Sequence, residues 1–240
     1  MSGHSKWSKV KHQKAITDVR KGKIFSKMAK MIAVAARKGG DPDKNPSLRI
    51  AIEKARAVNT PKENIERAIK KGLGEDKENQ LEEAIYEAYG PEGVQLIIEV
   101  ITDNKNRTTS ELRHTLSQYS GRLAEEGSVK WNFSQMGVII IKTSPSQEME
   151  KLELSLIDAG AEDIKKKNDI VEIYTKPNKL EEVKENLKAK NIIIEDSGLE
   201  WIAKTEVKIE DEGIKKQLKK LFESLDENED IKDIYSNYCE

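Results

Sequence analysis

The chain has 240 residues, 42 Lys+Arg against 43 Asp+Glu, and a formal net charge of −1. Its one Cys, Cys239, excludes a disulfide scaffold and suits a reducing compartment. The longest run without charged residues covers 131–141, well short of the ~20 apolar residues of a membrane-spanning helix, and no early apolar run marks a secretory signal, so a soluble cytoplasmic protein is expected.

In chain order, residues 1–22 show no sustained apolar period, and Val10, Ala15, Ile16 and Val19 are scattered among polar residues. A flexible or partly helical arm is expected there. The arm opens a strongly basic segment. Residues 1–38 hold 11 Lys+Arg and one acid, Asp18, a net of +10. Residues 1–72 carry a net of +13 (19 Lys+Arg, 6 Asp+Glu), and residues 73–240 carry −14 (23 and 37). The near-zero total therefore hides a basic module suited to a polyanion, carried on an acidic body.

Three amphipathic helices should follow. Ile24, Met28, Met31, Ile32 and Ala35 fall on one helical face that ends at Gly39-Gly40. Pro46 suits the first position of a second helix with Leu48, Ala51, Ile52 and Ala55 inward. A third starts at Thr60, where Glu63 three residues on suggests a capping box, and closes at Gly72. Together they predict a small bundle over 23–74. An acidic linker over 74–83 precedes a change of pattern. Residues 85–89 and 94–102 read as strands around Gly90-Pro91-Glu92-Gly93. Asp103 to Arg107 reads as a polar loop, after which Thr108-x-x-Glu111 caps a helix carrying Leu112, Leu116 and Tyr119. Val129, Trp131 and Phe133 alternate with polar residues and predict a strand that turns at 134–137 to pair with 138–141.

From 138 to 202 the order strand, helix, two strands, helix, strand predicts a ferredoxin-like βαββαβ unit. A closing strand, helix and strand near 206–209, 213–225 and 231–235 would complete the unit begun at Ile85. The expected class is α+β: a three-helix bundle followed by two α+β domains, the second inserted in the first. The expected boundaries are a basic arm over 1–22, the bundle over 23–74, a discontinuous domain over 75–133 plus 204–240, and the insert over 134–203.

For chemistry, His4, His12 and His114 lack zinc-ligand spacing, and no phosphate-cradling glycine motif is present. The carboxylate pairs Glu82-Glu83, Glu125-Glu126 and Glu181-Glu182 read as solvated helix faces, and Cys239 is a poor platform for a nucleophile. No enzyme, cofactor or metal is expected. The basic segment instead points to nucleic acid. Lys6, Lys9, Lys11, Lys14, Arg20, Lys21, Lys23, Lys27 and Lys30 could each neutralise a phosphate. Trp7 and His12 lie among them, and Trp7 could stack on a base or fold back on the bundle. Nine Lys against two Arg in residues 1–38 favour backbone contact over base readout. Asn104, Lys105, Asn106, Arg107 and Thr108, before a helix N-terminus, form a second candidate anion site or a plain connecting turn.

Several runs then match a known family in order. They include Gly3-His4-Ser5-Lys6-Trp7 with Lys11-His12, Lys21-Gly22-Lys23-Ile24-Phe25, and Gly39-Gly40-Asp41-Pro42 with Asn45-Pro46. Tyr86 to Pro91, Thr102 to Thr108, Arg113-His114 and Gly127-Ser128-Val129 continue the match. Over essentially its whole length the chain resembles the YebC family of bacterial regulators, whose mitochondrial relatives include the translational activator of cytochrome c oxidase. The resemblance implies three domains, one inserted in another, and a cytoplasmic DNA-binding regulator of transcription. It also implies an alternative role at the ribosome, binding ribosomal RNA and relieving stalled translation. It singles out Lys6, Trp7, Lys11 and His12 and raises the standing of the 104–108 loop. Nucleic acid is the expected partner, the acidic domains could contact the ribosome or another protein, and a monomer is expected. The chain departs from the family pattern at Ala88 and Glu92, where glycines are common, at Lys105, where Arg is frequent, and over residues 120–124.

Overall fold

The computed structural model describes residues 18–74, 81–143 and 149–239, with residues 18–20 and Lys167 described by backbone alone. Three helices come first: α1 (Asp18–Ala36), α2 (Pro46–Ala57) and α3 (Lys62–Gly72). The described part of α1 reaches back to Asp18, inside the segment expected as an arm and several residues before its apolar period. The Asn45 side chain caps α2 by accepting from Leu48 N–H, and its amide donates to the carbonyls of Ala35 and Gly39. The capping box expected at Thr60 does not form. α3 begins at Lys62 behind Pro61, and the Thr60 hydroxyl is buried without a partner among the described residues. Ile32, Leu48, Ile52, Ala55, Ile65 and Ala68 build the bundle core.

Strands β1 (Glu82–Tyr89), β2 (Gln95–Thr102), β3 (Arg122–Leu123) and β9 (Ile231–Ser236) form a sheet in the order β3-β1-β2-β9, with every pairing antiparallel. Between β1 and β2, Glu92 holds a left-handed backbone (φ 53°), a conformation that favours glycine. Helices α4 (Lys105–Gln118) and α7 (Glu212–Asp226) cover one face of the sheet. Leu96, Ile98 and Val100 pack there on Leu112, Leu116, Leu218, Leu221 and Phe222. The other face receives two bodies. Ile101 meets Ala33, Met31 and Val34 of α1 together with Leu81. Ile97 and Tyr235 meet Val129, Phe133 and Trp201. Met31, expected in the bundle stripe, thus faces the sheet instead.

The inserted unit runs β4 (Phe133–Lys142), α5 (Met149–Ala159), β5 (Asp163–Lys167), β6 (Ile170–Thr175), α6 (Leu180–Ala189) and β7 (Ile194–Ala203). Its sheet order β5-β6-β4-β7 is the ferredoxin-like arrangement expected from the sequence. Ile139, Ile141, Val171 and Ile173 pack on Leu152, Leu156, Val183 and Leu187 of its two helices.

The hairpin expected at 134–137 is overturned. Residues 133–142 form one continuous strand along β7, with Phe133 opposite Ala203 and Val138 opposite Gly198. Gly137 reads as turn chemistry but serves close packing, because a Cβ there would lie 2.5 Å from the Thr175 hydroxyl and 3.0 Å from Leu180. The strand expected near 206–209 shrinks to β8 (Val207–Lys208). It pairs in parallel with β10 (Tyr238–Cys239) outside the main sheet, and β9 alone carries the closing segment into that sheet.

Candidate nucleic-acid interface

The bundle is where positive charge collects. Residues 18–74 hold 15 Lys+Arg and 6 Asp+Glu, a net of +9. Geometry divides these cations into two sets. One set faces the sheet domain. Lys27 Nζ donates to the Asp226 carbonyl at 3.1 Å and to its carboxylate at 3.2 Å. One turn on, Lys30 Nζ donates to the Asp230 carboxylate at 2.5 Å and to the Glu229 carbonyl at 3.4 Å. Arg37 reaches the Leu81 carbonyl. These contacts rim the apolar patch of Ala33, Leu81 and Ile101, so α1 docks by an apolar centre with a charged edge.

The second set points to solvent. Lys38, Arg49, Arg56, Lys70 and Lys71 are exposed, as is Lys21. Lys44 and Lys62 are exposed as well, beside Asp41 and Glu66 at 3.5 Å, and Arg67 bonds Asn64. Exposed pairs such as Lys44–Asp41 are weak, worth about 0–1 kcal/mol, and leave the cation available to a stronger anion. Lys23 is half-buried, and Arg20 is placed by its backbone only. The arm candidates Lys6, Trp7, Lys9, Lys11, His12 and Lys14 lie outside the described residues.

The second candidate site proves to be the first turn of α4. Asn104 is the N-cap, its side chain accepting from Arg107 N–H at 3.0 Å, so the cap lies four residues before the one expected at Thr108. An anion does sit against this turn, and the chain itself supplies it. The Asp230 carboxylate accepts from the Thr108 hydroxyl at 2.7 Å, from Arg107 at 2.9 Å and from the Thr102 hydroxyl at 3.2 Å, besides Lys30. Arg107 is held on its other side by Asp103 at 2.7 Å, and Lys105 pairs with Glu82 at 2.5 Å. Asn106 is exposed. Burial opposes ionisation of Asp230, but hydrogen bonds from Lys30, Thr108 and Arg107 outweigh it and hold the carboxyl at about 2. Hydrogen bonds to Asp230 and Asp103 in turn raise the Arg107 pKa. The two anion sites read from the sequence therefore converge on one acidic turn, Asp226 to Asp230.

A third feature lies between β3 and β4. Glu87, buried in β1, accepts from the N–H groups of Gly127, Val129 and Lys130 at 2.6, 2.6 and 2.8 Å. Burial pushes its pKa up, but these three backbone bonds prevail and the net shift is downward. The loop thus fixed presents Trp131, whose Nε1–H donates to the Ser128 carbonyl at 2.9 Å.

With this geometry in place, similarity to known proteins takes on specific content. Residues 5–75 match the TACO1/YebC protein N-terminal domain, and residues 81–238 match the TACO1/YebC second and third domain. The chain belongs to the TACO1/YebC family. It is 48% identical over 239 residues to a protein of Thermosipho melanesiensis named a probable transcriptional regulatory protein, a match covering 99% of this chain and 94% of that one. A protein of the same name from Halothermothrix orenii is 43% identical over 240 residues, covering 99% and 95%. The crystal structure of a conserved hypothetical protein from Aquifex aeolicus has TM-score 0.85 and 43% identity, covering 97% of this chain and 96% of that one. The family and α+β class read from the sequence are thus established.

Sequence reasoning missed Asp226, Asp230 and Glu87. The acidic turn before an apolar strand was visible, but its partners stand 199 and 200 residues away in α1. Glu87 stands in a strand between Tyr86 and Ala88, and nothing local marks its carboxylate as a loop anchor.

Proposed function

We propose that this chain is a nucleic-acid-binding regulator of gene expression, without enzymatic activity, that grips phosphates through its basic N-terminal arm and helical bundle. One observation carries the reading. After Lys27, Lys30 and Arg37 are engaged against the body, the bundle still turns Lys38, Arg49, Arg56, Lys70 and Lys71 to solvent. The arm adds Lys6, Lys9, Lys11 and Lys14, with Trp7 and His12 for stacking or ribose contact, and Arg20, Lys21 and Lys23 continue the stripe. Lys27 and Lys30 orient this surface rather than line it. In the 104–108 turn all residues but Thr108 are exposed, with Lys105 paired to Glu82, and Arg107 and Thr108 serve Asp230. The names of the relatives support transcription as the setting, and DNA is the target inferred for that setting.

A specific observation favours a second reading. Among the described residues, none of α1, α2 and α3 gathers more than a pair of Arg, Asn or Gln on one face, Arg49 with Arg56 and Asn64 with Arg67, fewer than a major-groove reader presents. Grip without base readout suits ribosomal RNA as well as DNA, which would make the protein a translation factor.

Charge reversal at Lys6, Lys11 and Lys14 to Glu is expected to abolish nucleic-acid binding and leave the circular dichroism of the folded domains unchanged. If about six phosphates are engaged, log K should fall against log salt with a slope near −4 to −5. A slope near zero rejects the electrostatic grip. Crosslinking in cells with sequencing of bound DNA and RNA separates the two readings: discrete promoters support transcription, and a compact ribosomal RNA footprint supports translation.

A further inference from the structure

Trp131 poses a question that the phosphate grip leaves open. A large aromatic ring 61% exposed is unusual in a chain with only 5% aromatic residues, and it contributes little to the core. Its position is nonetheless well fixed. Its Nε1–H donates to the Ser128 carbonyl at 2.9 Å, and the Tyr89 hydroxyl donates to the same oxygen at 3.1 Å. Its own carbonyl accepts from Lys204 Nζ at 2.8 Å. Immediately before it, the amides of Gly127, Val129 and Lys130 are tied to buried Glu87. The ring is therefore presented by a preorganised loop, which lowers the ordering cost of any partner that packs on it.

The surroundings identify the chemistry of that partner. The loop's aliphatic member, Val129, points into the core and adds no apolar surface beside the exposed ring. Three cations stand on or beside the same loop. Lys204 touches the backbone of Trp131, Lys130 precedes that residue with its ammonium 5.2 Å from the Trp201 ring centre, and Arg122 lies 4.9 Å over Tyr89. Exposed Glu125 and Glu126 close the other end of the loop and disfavour a polyanion approaching from there. An exposed π-face beside several donors of positive charge is how single-stranded nucleic acid is held: bases stack and phosphates meet Lys or Arg.

We propose that Trp131, with Lys130, Lys204 and Arg122, forms a second nucleic-acid contact that takes an unpaired nucleotide by stacking. The site stands on the loop between β3 and β4, on a cluster separate from the one that meets the bundle. It rests on the reading of the chain as a nucleic-acid binder and adds a preference to it, because a base buried in a duplex cannot lie on the ring whereas a splayed base can. The chain would thereby distinguish melted or looped nucleic acid from uninterrupted duplex, a distinction that a lysine-based grip alone does not make.

The test uses the full chain with a labelled pyrimidine single-stranded RNA and a duplex of equal length. Trp131→Ala should weaken single-strand binding about ten-fold or more and leave duplex binding unchanged. Trp131→Phe, which keeps a π-face, should recover most of the loss. Lys130→Ala and Lys204→Ala should each flatten the single-strand salt slope by about one. If Trp131→Ala binds the single strand as the parent does while the Lys6, Lys11 and Lys14 reversal still abolishes binding, the stacking site is rejected and the phosphate grip stands. Equal losses on strand and duplex, or no rescue by Phe, make Trp131 a structural residue and reject the site. A parent chain that binds neither probe rejects the grip and the site together.

Discussion

At the scale of single residues, Asp230 shows how a buried carboxylate can be stabilising. Removing such a group from water is costly, and the cost is recovered only when every lone pair finds a good donor. Asp230 has four side-chain donors, from Lys30, Thr102, Arg107 and Thr108. Its folded pKa of about 2 lies below the ordinary 3.8, so ionisation favours the fold. The contribution is complete above pH 4 and is lost as pH falls through about 2. The shift corresponds to about 2 kcal/mol. Chemical denaturation of the parent should therefore show stability falling between pH 4 and pH 2. Asp230→Asn should be less stable by about 2–3 kcal/mol at pH 7, since it leaves Lys30 and Arg107 facing a neutral group, and should flatten part of that acid dependence. A variant as stable as the parent at pH 7 would mean that Lys30 and Arg107 find other partners.

At the scale of elements, close packing explains both what the sequence reveals and where it misleads. Apolar periodicity located α2, α3, β6 and α6 within a few residues, because burial of one face is what makes such segments fold. Three other elements were misread for identifiable reasons. Gly137 looks like a turn glycine, but it lies in β4 under Thr175 and Leu180, so one strand was read as two. Thr108 looks like a cap, but it is a buried hydroxyl held by Asp230, while the neighbouring Asn104 does the capping. Trp131 fits a strand alternation, yet it lies within a short 3-10 turn, Lys130–Asn132, and stands exposed. Each choice depends on a neighbour far along the chain, which local pattern cannot supply. Gly72 shows the same dependence where it can be tested. A Cβ there would lie 2.2 Å from the Ala33 carbonyl and 2.7 Å from the Ala36 methyl, so α1 and α3 meet only because position 72 is bare. Gly72→Ala should therefore cost about 1–3 kcal/mol, despite the better helix propensity of alanine, as measured by thermal unfolding. A neutral or stabilising result would mean that α3 can slide along α1 at little cost.

At the scale of the whole molecule, the opposite charges of bundle and body are a joint as well as a contrast. The basic bundle meets the acidic turn of residues 226–230 through Lys27 and Lys30, and a small apolar patch lies beside them. The bundle's main core is separate from that patch, so the interface rather than the helices should yield first. The double variant Asp226→Asn with Asp230→Asn is expected to split a single calorimetric transition into two, with the helical signal of the lower one assigned to the bundle. The parent in high salt should move part of the way, because the edge pairs are only partly shielded from solvent. One unsplit transition in the double variant would show that the apolar patch alone couples the bodies.

The register of β9 on β2 carries a consequence for how the molecule is made. Ile231 pairs with Val100, and Asp230 immediately precedes it, so a segment synthesised well after the bundle both finishes the sheet and supplies the counter-charge for α1. Until residues 226–236 are available, one edge of β2 is bare and Lys27 and Lys30 face no carboxylate from that turn. Closure over a separation of about 200 residues is slow relative to local helix formation, so the basic bundle should fold first and dock last. Docking thereby depends on a distant segment: a chain interrupted before residue 226 would keep its cations but lack the acidic turn that orients them.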